Sequence, residues 1–239
     1  MKYRREDRLK LRATAAVSPA NALSRENDAT GPVFFWRESD EPYGFLCQWY
    51  QSRFKDADVH NSYVFNCAEQ YMMYRKALVL ATPDDQEDNK LLKPGKHSKA
   101  ISGSSKVGRL GLTAEQLPAA ILATQKPGEQ KALARSVRFT DKQLKIWETV
   151  KFDVVTHGSY LKYSQNVELK ARLLATGDRE LVEASPTDRV WGIGFAAKVA
   201  MNVPRDAWGS NLLGKALMSV RERLRVEEED DADEDPDGN

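Results

Sequence analysis

An acid and an amine stand seven positions apart in the segment 67–80, CAEQYMMYRKALVL, which holds neither glycine nor proline and is rich in helix formers. On a helix, Glu69 and Lys76 lie two turns apart on one side. A carboxylate there could stabilise a developing cation or accept a proton, and the amine could serve as base or nucleophile. The same spacing fits a purely structural arrangement. Asn66 would cap the helix, Glu69 would close a capping box, and Lys76 would lay its stem along the surface. Further on, Asp188-Arg189-Val190-Trp191-Gly192-Ile193-Gly194 places an acid, a base, a large ring and two glycines within seven residues. Glycines admit close backbone approach to a phosphate and tryptophan offers a stacking face, although a tight turn beside a core tryptophan needs the same residues. Trp208-Gly209-Ser210-Asn211 precedes a last helix whose first amides and positive dipole end suit an anion. Simple capping by Ser210 or Asn211 is the alternative.

Other chemistries start from weak ground. Cys47 and Cys67 form no CxxC pair and read as small buried thiols, while His60, His97 and His157 show no metal or triad pattern. Neither a metal nor a cofactor is expected. The GKHSK stretch at 95–99 lacks the upstream glycine of a phosphate-binding P-loop.

These residues need elements to position them. Val33-Phe34-Phe35-Trp36 after Gly31-Pro32 suits a buried strand, and 67–80 a helix. From 82 to 108 the chain is polar and reads as a long loop. Residues 144–163 predict a helix with Leu144, Trp147, Val150, Val154 and Val155 on one face and Gly158 as a break point. Residues 166–176 predict another, with Val167, Leu169, Leu173 and Leu174 apolar and Gly177 as the stop. Residues 180–184 alternate like a short strand. The last helix, 211–225, carries Leu213, Leu217, Val220 and Leu224 as an apolar stripe. The pattern predicts an α+β fold, mainly helical, as a single domain over 31–226 with a few short strands. A flexible basic arm is expected at 1–30 and a disordered acidic tail at 227–239.

Composition sets the outer bounds. With 239 residues, 41% apolar and 30% charged, the chain is no fibre and no wholly disordered polymer. Its charge of +1 hides an asymmetry: nine of 35 acids fall in 227–239, leaving the rest at +10. Such a body attracts phosphates. No apolar run approaches the roughly 20 residues of a membrane span, and no signal-peptide core is visible, so the cytosol or the nucleus is expected and a membrane is not.

Taken in order, YGFLCQWY (43–50), CAEQYMMYRKAL (67–78), Trp147 with Lys151, KYSQNVELKARLLATGDRELVEASPTDRVWGIGF (162–195) and WGSNLLGKALMSVRERL (208–224) resemble the NADAR, or YbiA-like, family over about 34–226. The resemblance implies a compact, mainly helical α+β fold and an N-glycosidase acting on ribose-linked bases. Two substrate classes go with it: ADP-ribose on guanine in nucleic acid, and phosphoribosyl-type intermediates of riboflavin synthesis. The long EASPTDRVWGIGF form and the isolated domain favour the first, with ADP-ribosylated nucleic acid as partner and no obligate protein partner. A non-catalytic ADP-ribose reader is a further alternative.

By motif, Glu69 and Lys76 match the family's acid and lysine, Asp188, Trp191, Gly192 and Gly194 its turn, and Asn211 and Gly214 the start of its last helix. Cys47 replaces a serine. The implied roles make Glu69 the catalytic carboxylate and Asp188 a ribose-orienting or second acid/base group. Lys76 is then a Schiff-base nucleophile in the alternative to direct water attack. Trp147 or Trp191 would stack on a base, and Gly192, Gly194 and the amides around Ser210 and Asn211 would receive the diphosphate. Arg37 and Arg109 are candidate counter-charges.

Overall fold

Strand β1 (Val33–Phe35) buries Val33 and Phe35 in the main core and turns Phe34 to a smaller cluster with Trp208 and Ile193, the two-residue alternation of a strand between two apolar layers. It pairs in parallel with β4 (Leu181–Glu183), Phe35 opposite Glu183. A second small pair, β2 (Phe54–Lys55) and β3 (Val64–Phe65), is antiparallel. The computed structural model describes residues 31–59, 63–82 and 110–234. The expected arm at 1–30, nearly all of the 82–108 loop, His60, His97 and Arg109 lie outside the described residues.

Helices supply the rest: α1 (Ala68–Ala81), α2 (Leu117–Ala123), α3 (Pro127–Ala134), α4 (Asp141–Ser164), α5 (Val167–Leu174), the single turn α6 (Ala197–Ala200) and α7 (Leu212–Glu234). Helix α1 packs against α2, α3 and α4 at once, so its buried residues run around the helix rather than along one stripe. Helix α4 lies between α1 and α7, and α7 seats on β4. Leu213, Leu217, Val220 and Leu224 are all buried, so the expected stripe is the face of α7 that meets the core. The fold is the expected mainly helical α+β domain. No helix among the described residues is long and apolar enough to cross a membrane.

Several local expectations change. Gly158 does not break α4; a Cβ there would fall 2.5 Å from the Tyr71 ring, so the glycine lets α4 and α1 approach. The capping box at the start of α1 is not formed by Asn66 and Glu69. The helix is capped at Cys67 without a side-chain bond, and Gln70 Oε1 accepts the Asn66 N–H at 2.8 Å in place of Glu69. Leu144 and Val167, expected on apolar faces, are exposed because those faces are set by Trp147, Val150 and Val154 and by Leu169 and Leu173. The acidic segment is helical to Glu234 where disorder was expected from 227. Its first turn is tied down: Glu227 accepts from Arg223 and from the Tyr160 hydroxyl, and Glu228 pairs with Lys170 of α5 at 3.0 Å.

The contact between α7 and β4 is the tightest of these approaches. A Cβ on Gly214 would lie 2.0 Å from the Leu181 carbonyl and 2.5 Å from the Asn211 amide. Gly214→Ala is therefore expected to cost about 1–3 kcal/mol of stability, read as a lower urea midpoint at unchanged slope. A midpoint equal to wild type would show that α7 does not press on β4.

Candidate active site

Glu69, in the first turn of α1, is only 2% exposed. Its N–H donates to the Gln48 carbonyl at 3.0 Å, which locks the helix start to the loop at 45–49. That loop is pinned from below by Lys162 of α4, whose buried ammonium donates to the carbonyls of Phe45 (2.7 Å) and Cys47 (3.2 Å). One carboxylate oxygen of Glu69, Oε1, is buried and accepts no hydrogen bond from the protein. Burial raises the acid's pKa above the usual carboxylate range. The positive charges of Lys131, Arg135 and Lys76 oppose that rise, as does the Trp49 indole N–H turned toward the group.

A second acid, Glu183 at the end of β4, is half-buried and lies in range of the Glu69 charge. Asn211 clamps the strand on both sides of Val182, its Oδ1 accepting the Glu183 N–H at 3.0 Å and its Nδ2 donating to the Leu181 carbonyl at 2.9 Å. The Glu183 carbonyl accepts from Ile193 at 3.0 Å. Oε2 of Glu183 is buried and accepts no hydrogen bond from the protein. Burial, then the negative charge of Asp188 and more weakly that of Glu69, push its pKa up to about 8, with Lys131 opposing. Asp188 is fixed by its own turn, Oδ1 accepting from the N–H groups of Val190 and Trp191 at 2.8 Å each. The negative charge of Asp188, and more weakly that of Glu69, thus favours the protonated form of Glu183.

Lys76 lies across from Glu69 with its Nζ 5.1 Å from the Phe139 ring centroid and 5.9 Å from that of Trp147. Burial lowers its pKa, and Arg135 and Lys131 lower it further against the pull of Glu69 and Glu148. The site therefore brings together two acids whose pKa values burial raises and an amine whose pKa burial lowers. Cys47 and Cys67 are buried thiols, each pushed up to about 12 by burial, and take no part as thiolates.

The remaining expected residues have other places. Trp147 is buried in the core beneath Lys76, and Trp191 is half-buried over the Asp188 turn. Gly192 is needed because a Cβ would lie 2.7 Å from the Glu183 carbonyl, and Gly194 because its φ is +78°. The amides around Ser210 and Asn211, expected to receive a diphosphate, are bonded inside the fold. Ser210 donates to Arg189, Asn211 to Gly192, Leu212 to Val190 and Leu213 to Trp191, at 2.8, 3.3, 3.1 and 3.0 Å. Gly192, Asn211 and Gly214 thus position Glu183. Arg37 is exposed and stacks on Trp36 at 4.3 Å.

Sequence reasoning missed Glu183, Trp49, Lys131 and Arg135. Glu183 carried a usable signal, since it shares a strand face with core-buried Leu181 and so puts a charge where the alternation calls for an apolar group. Lys131 and Arg135 are four apart, in the last turn of α3 and at its C-terminal cap. Elsewhere, Asp56, Asp58 and His157 each bring a ligand atom within 4.8 Å of the others. Asp56 is already engaged there by the Tyr71 hydroxyl at 2.9 Å, with Arg75 at 3.7 Å and His157 at 3.8 Å, and the positive charge of Arg75 disfavours a metal ion.

Residues 34–225 match the NADAR domain. N-glycosidase R617 of Acanthamoeba polyphaga mimivirus is 38% identical over 196 residues, 80% of this chain and 94% of its own length. Protein irg-1 of Caenorhabditis elegans is 33% identical over 190 residues, 79% of this chain and 74% of its own. The NMR structure of the Escherichia coli protein YbiA superposes with a TM-score of 0.53 at 23% identity, covering 83% of this chain and 87% of that one, a likeness of fold. Because the matched span contains the helix that carries Glu69, the strand that carries Glu183 and the turn that carries Asp188, the chain belongs to the NADAR domain family as a whole fold.

Proposed function

We propose that the chain hydrolyses the bond between ADP-ribose and guanine in nucleic acid, releasing ADP-ribose and restoring the base. That it is a hydrolase of N-glycosyl bonds follows from its family and from relatives named N-glycosidases; the substrate is our reading. The observation that carries the reading is the buried acid Glu69 together with the half-buried acid Glu183, which lies in range of its charge; each has a buried carboxylate oxygen free of protein hydrogen bonds and a pKa raised by burial. The +10 charge of residues 1–226 favours a substrate embedded in a polyanion.

Breaking a C–N glycosidic bond loads positive charge on the ribose ring and negative charge on the departing base. Glu69, ionised, stabilises the ring cation and takes a proton from the attacking water. Glu183, protonated at neutral pH, delivers its proton to the leaving guanine. Asp188 keeps that proton on Glu183 by repulsion, which makes it a positioning residue.

The lowered pKa of Lys76 favours a second route to the same products. The neutral amine bonds to C1 as guanine leaves with the glycosidic electron pair and the proton of Glu183. The ring then opens to an imine, and water cleaves the imine to release ADP-ribose and the amine.

An oligonucleotide carrying ADP-ribose on guanine is expected to lose ADP-ribose to the wild type, with kcat about 100-fold lower or worse in Glu69→Gln. An intact oligonucleotide after long incubation would reject the substrate. Borohydride trapping of a covalent adduct that disappears in Lys76→Ala selects the amine route; its absence selects direct water attack. With Glu183 acting as an acid, the pH profile of kcat should fall as pH rises through about 8. That limb should be missing from Glu183→Gln, whose rate is low throughout. An unchanged limb in the variant would assign the proton to another group.

A further inference from the structure

A ribosyl substrate that bears phosphate needs a seat for that charge, and the start of α7 does not provide one, because its first amides are bonded to the carbonyls at 189–192. The described residues offer another place. Helix α3 is anchored beside the carboxylates by Gln130, which is fully buried and donates to Asn66 Oδ1 at 3.2 Å and to the Thr124 carbonyl at 2.7 Å. Gly128 sits against the edge of Trp49, where a Cβ would lie 3.6 Å from the ring. Lys131 follows Gln130 with its Nζ 5.9 Å from the Trp49 centroid, and Arg135 comes one turn later on the same side. Neither is in ion-pair contact with a carboxylate of the described residues, yet both charges reach Glu69 and Lys76, and that of Lys131 reaches Glu183.

We infer that Lys131 and Arg135 seat the phosphate groups of the substrate, holding the ribose so that its C1 faces Glu69 and Glu183. This inference rests on reading the site as one that cleaves a ribosyl bond. A half-buried lysine point charge in the last turn of α3 and an exposed arginine fork at its C-terminal cap suit a diphosphate that spans one helical turn. The seat makes the site selective for phosphorylated ribosyl groups, whether ADP-ribosyl or 5-phosphoribosyl.

Three oligonucleotides with the same glycosidic bond to guanine test this: ADP-ribosyl, its phosphodiesterase product phosphoribosyl, and the phosphatase product ribosyl. The ratio of kcat/KM for ADP-ribosyl over ribosyl within each enzyme cancels any effect of the cations on Glu69. Lys131→Gln and Arg135→Gln should each lower that ratio by about 10-fold, the double variant by more, while Lys131→Arg keeps it. In parallel, calorimetry with ADP-ribose and with ribose 5-phosphate should show the same losses of affinity.

If no guanine substrate turns over but the two variants lose these ligands, the seat stands and the substrate reading falls. A retained loss for ribose 5-phosphate alone assigns the seat to a monophosphate. Unchanged ratios and affinities in the double variant, or a wild type that binds neither ligand, would overturn the seat.

Discussion

Holding the carboxyl group of Glu69 out of water, with the half-buried Glu183 in range of its charge, is the constraint around which this fold is arranged. Burial disfavours the charged form of each acid, and the charge of Glu69 adds weakly to that effect on Glu183, so the two cannot be placed by packing alone. Their surroundings offset the cost unequally. Glu69 faces Lys131, Arg135, Lys76 and the Trp49 indole, whereas Glu183 faces Asp188 and only one of those cations. The cations around Glu69 thus oppose its protonation, whereas Asp188 adds to that of Glu183, a difference of surroundings on which an acid/base division of labour can rest.

The supporting structure follows from the same demand for placement. Glu183 is carried to the site by a strand of three residues, too short to hold its register unaided, and Asn211 bonds that strand on both sides of Val182 while Gly192 and Gly214 admit backbone to within van der Waals contact. Glu69 is carried by α1, whose start is bonded to the 45–49 loop, and the loop in turn rests on the ammonium of Lys162. Burial lowers the pKa of Lys162 to about 8, so the lysine is itself a costly anchor retained for position. Helix α3 completes the ring by bringing its cations to the open side.

The sequence made the helices of the core legible where one apolar stripe met one neighbour, as in α7. It misled where a helix was surrounded, as at the start of α1, because Glu69 in a helical first turn looks like a cap whether it faces solvent or the interior. Glu183 was hidden for a different reason: its meaning depends on β1 lying beside β4, a pairing of residues about 150 positions apart that local pattern does not announce. The glycines and Asn211 were visible as motif positions, but their work is close backbone approach, which only the folded chain displays. The acidic segment read as disordered because its composition is that of a solvated run, while the bonds that order its first turn come from Tyr160, Lys170 and Arg223.

The most direct measurement is the titration of Glu183 in the folded protein, followed through its carboxyl carbon by NMR with Glu183→Gln to assign the signal. A midpoint near 8, falling when Glu69→Gln removes the neighbouring charge, is the result that the buried pair requires. A midpoint near the ordinary glutamate value of about 4.3, insensitive to Glu69, would contradict the division of roles between the two acids.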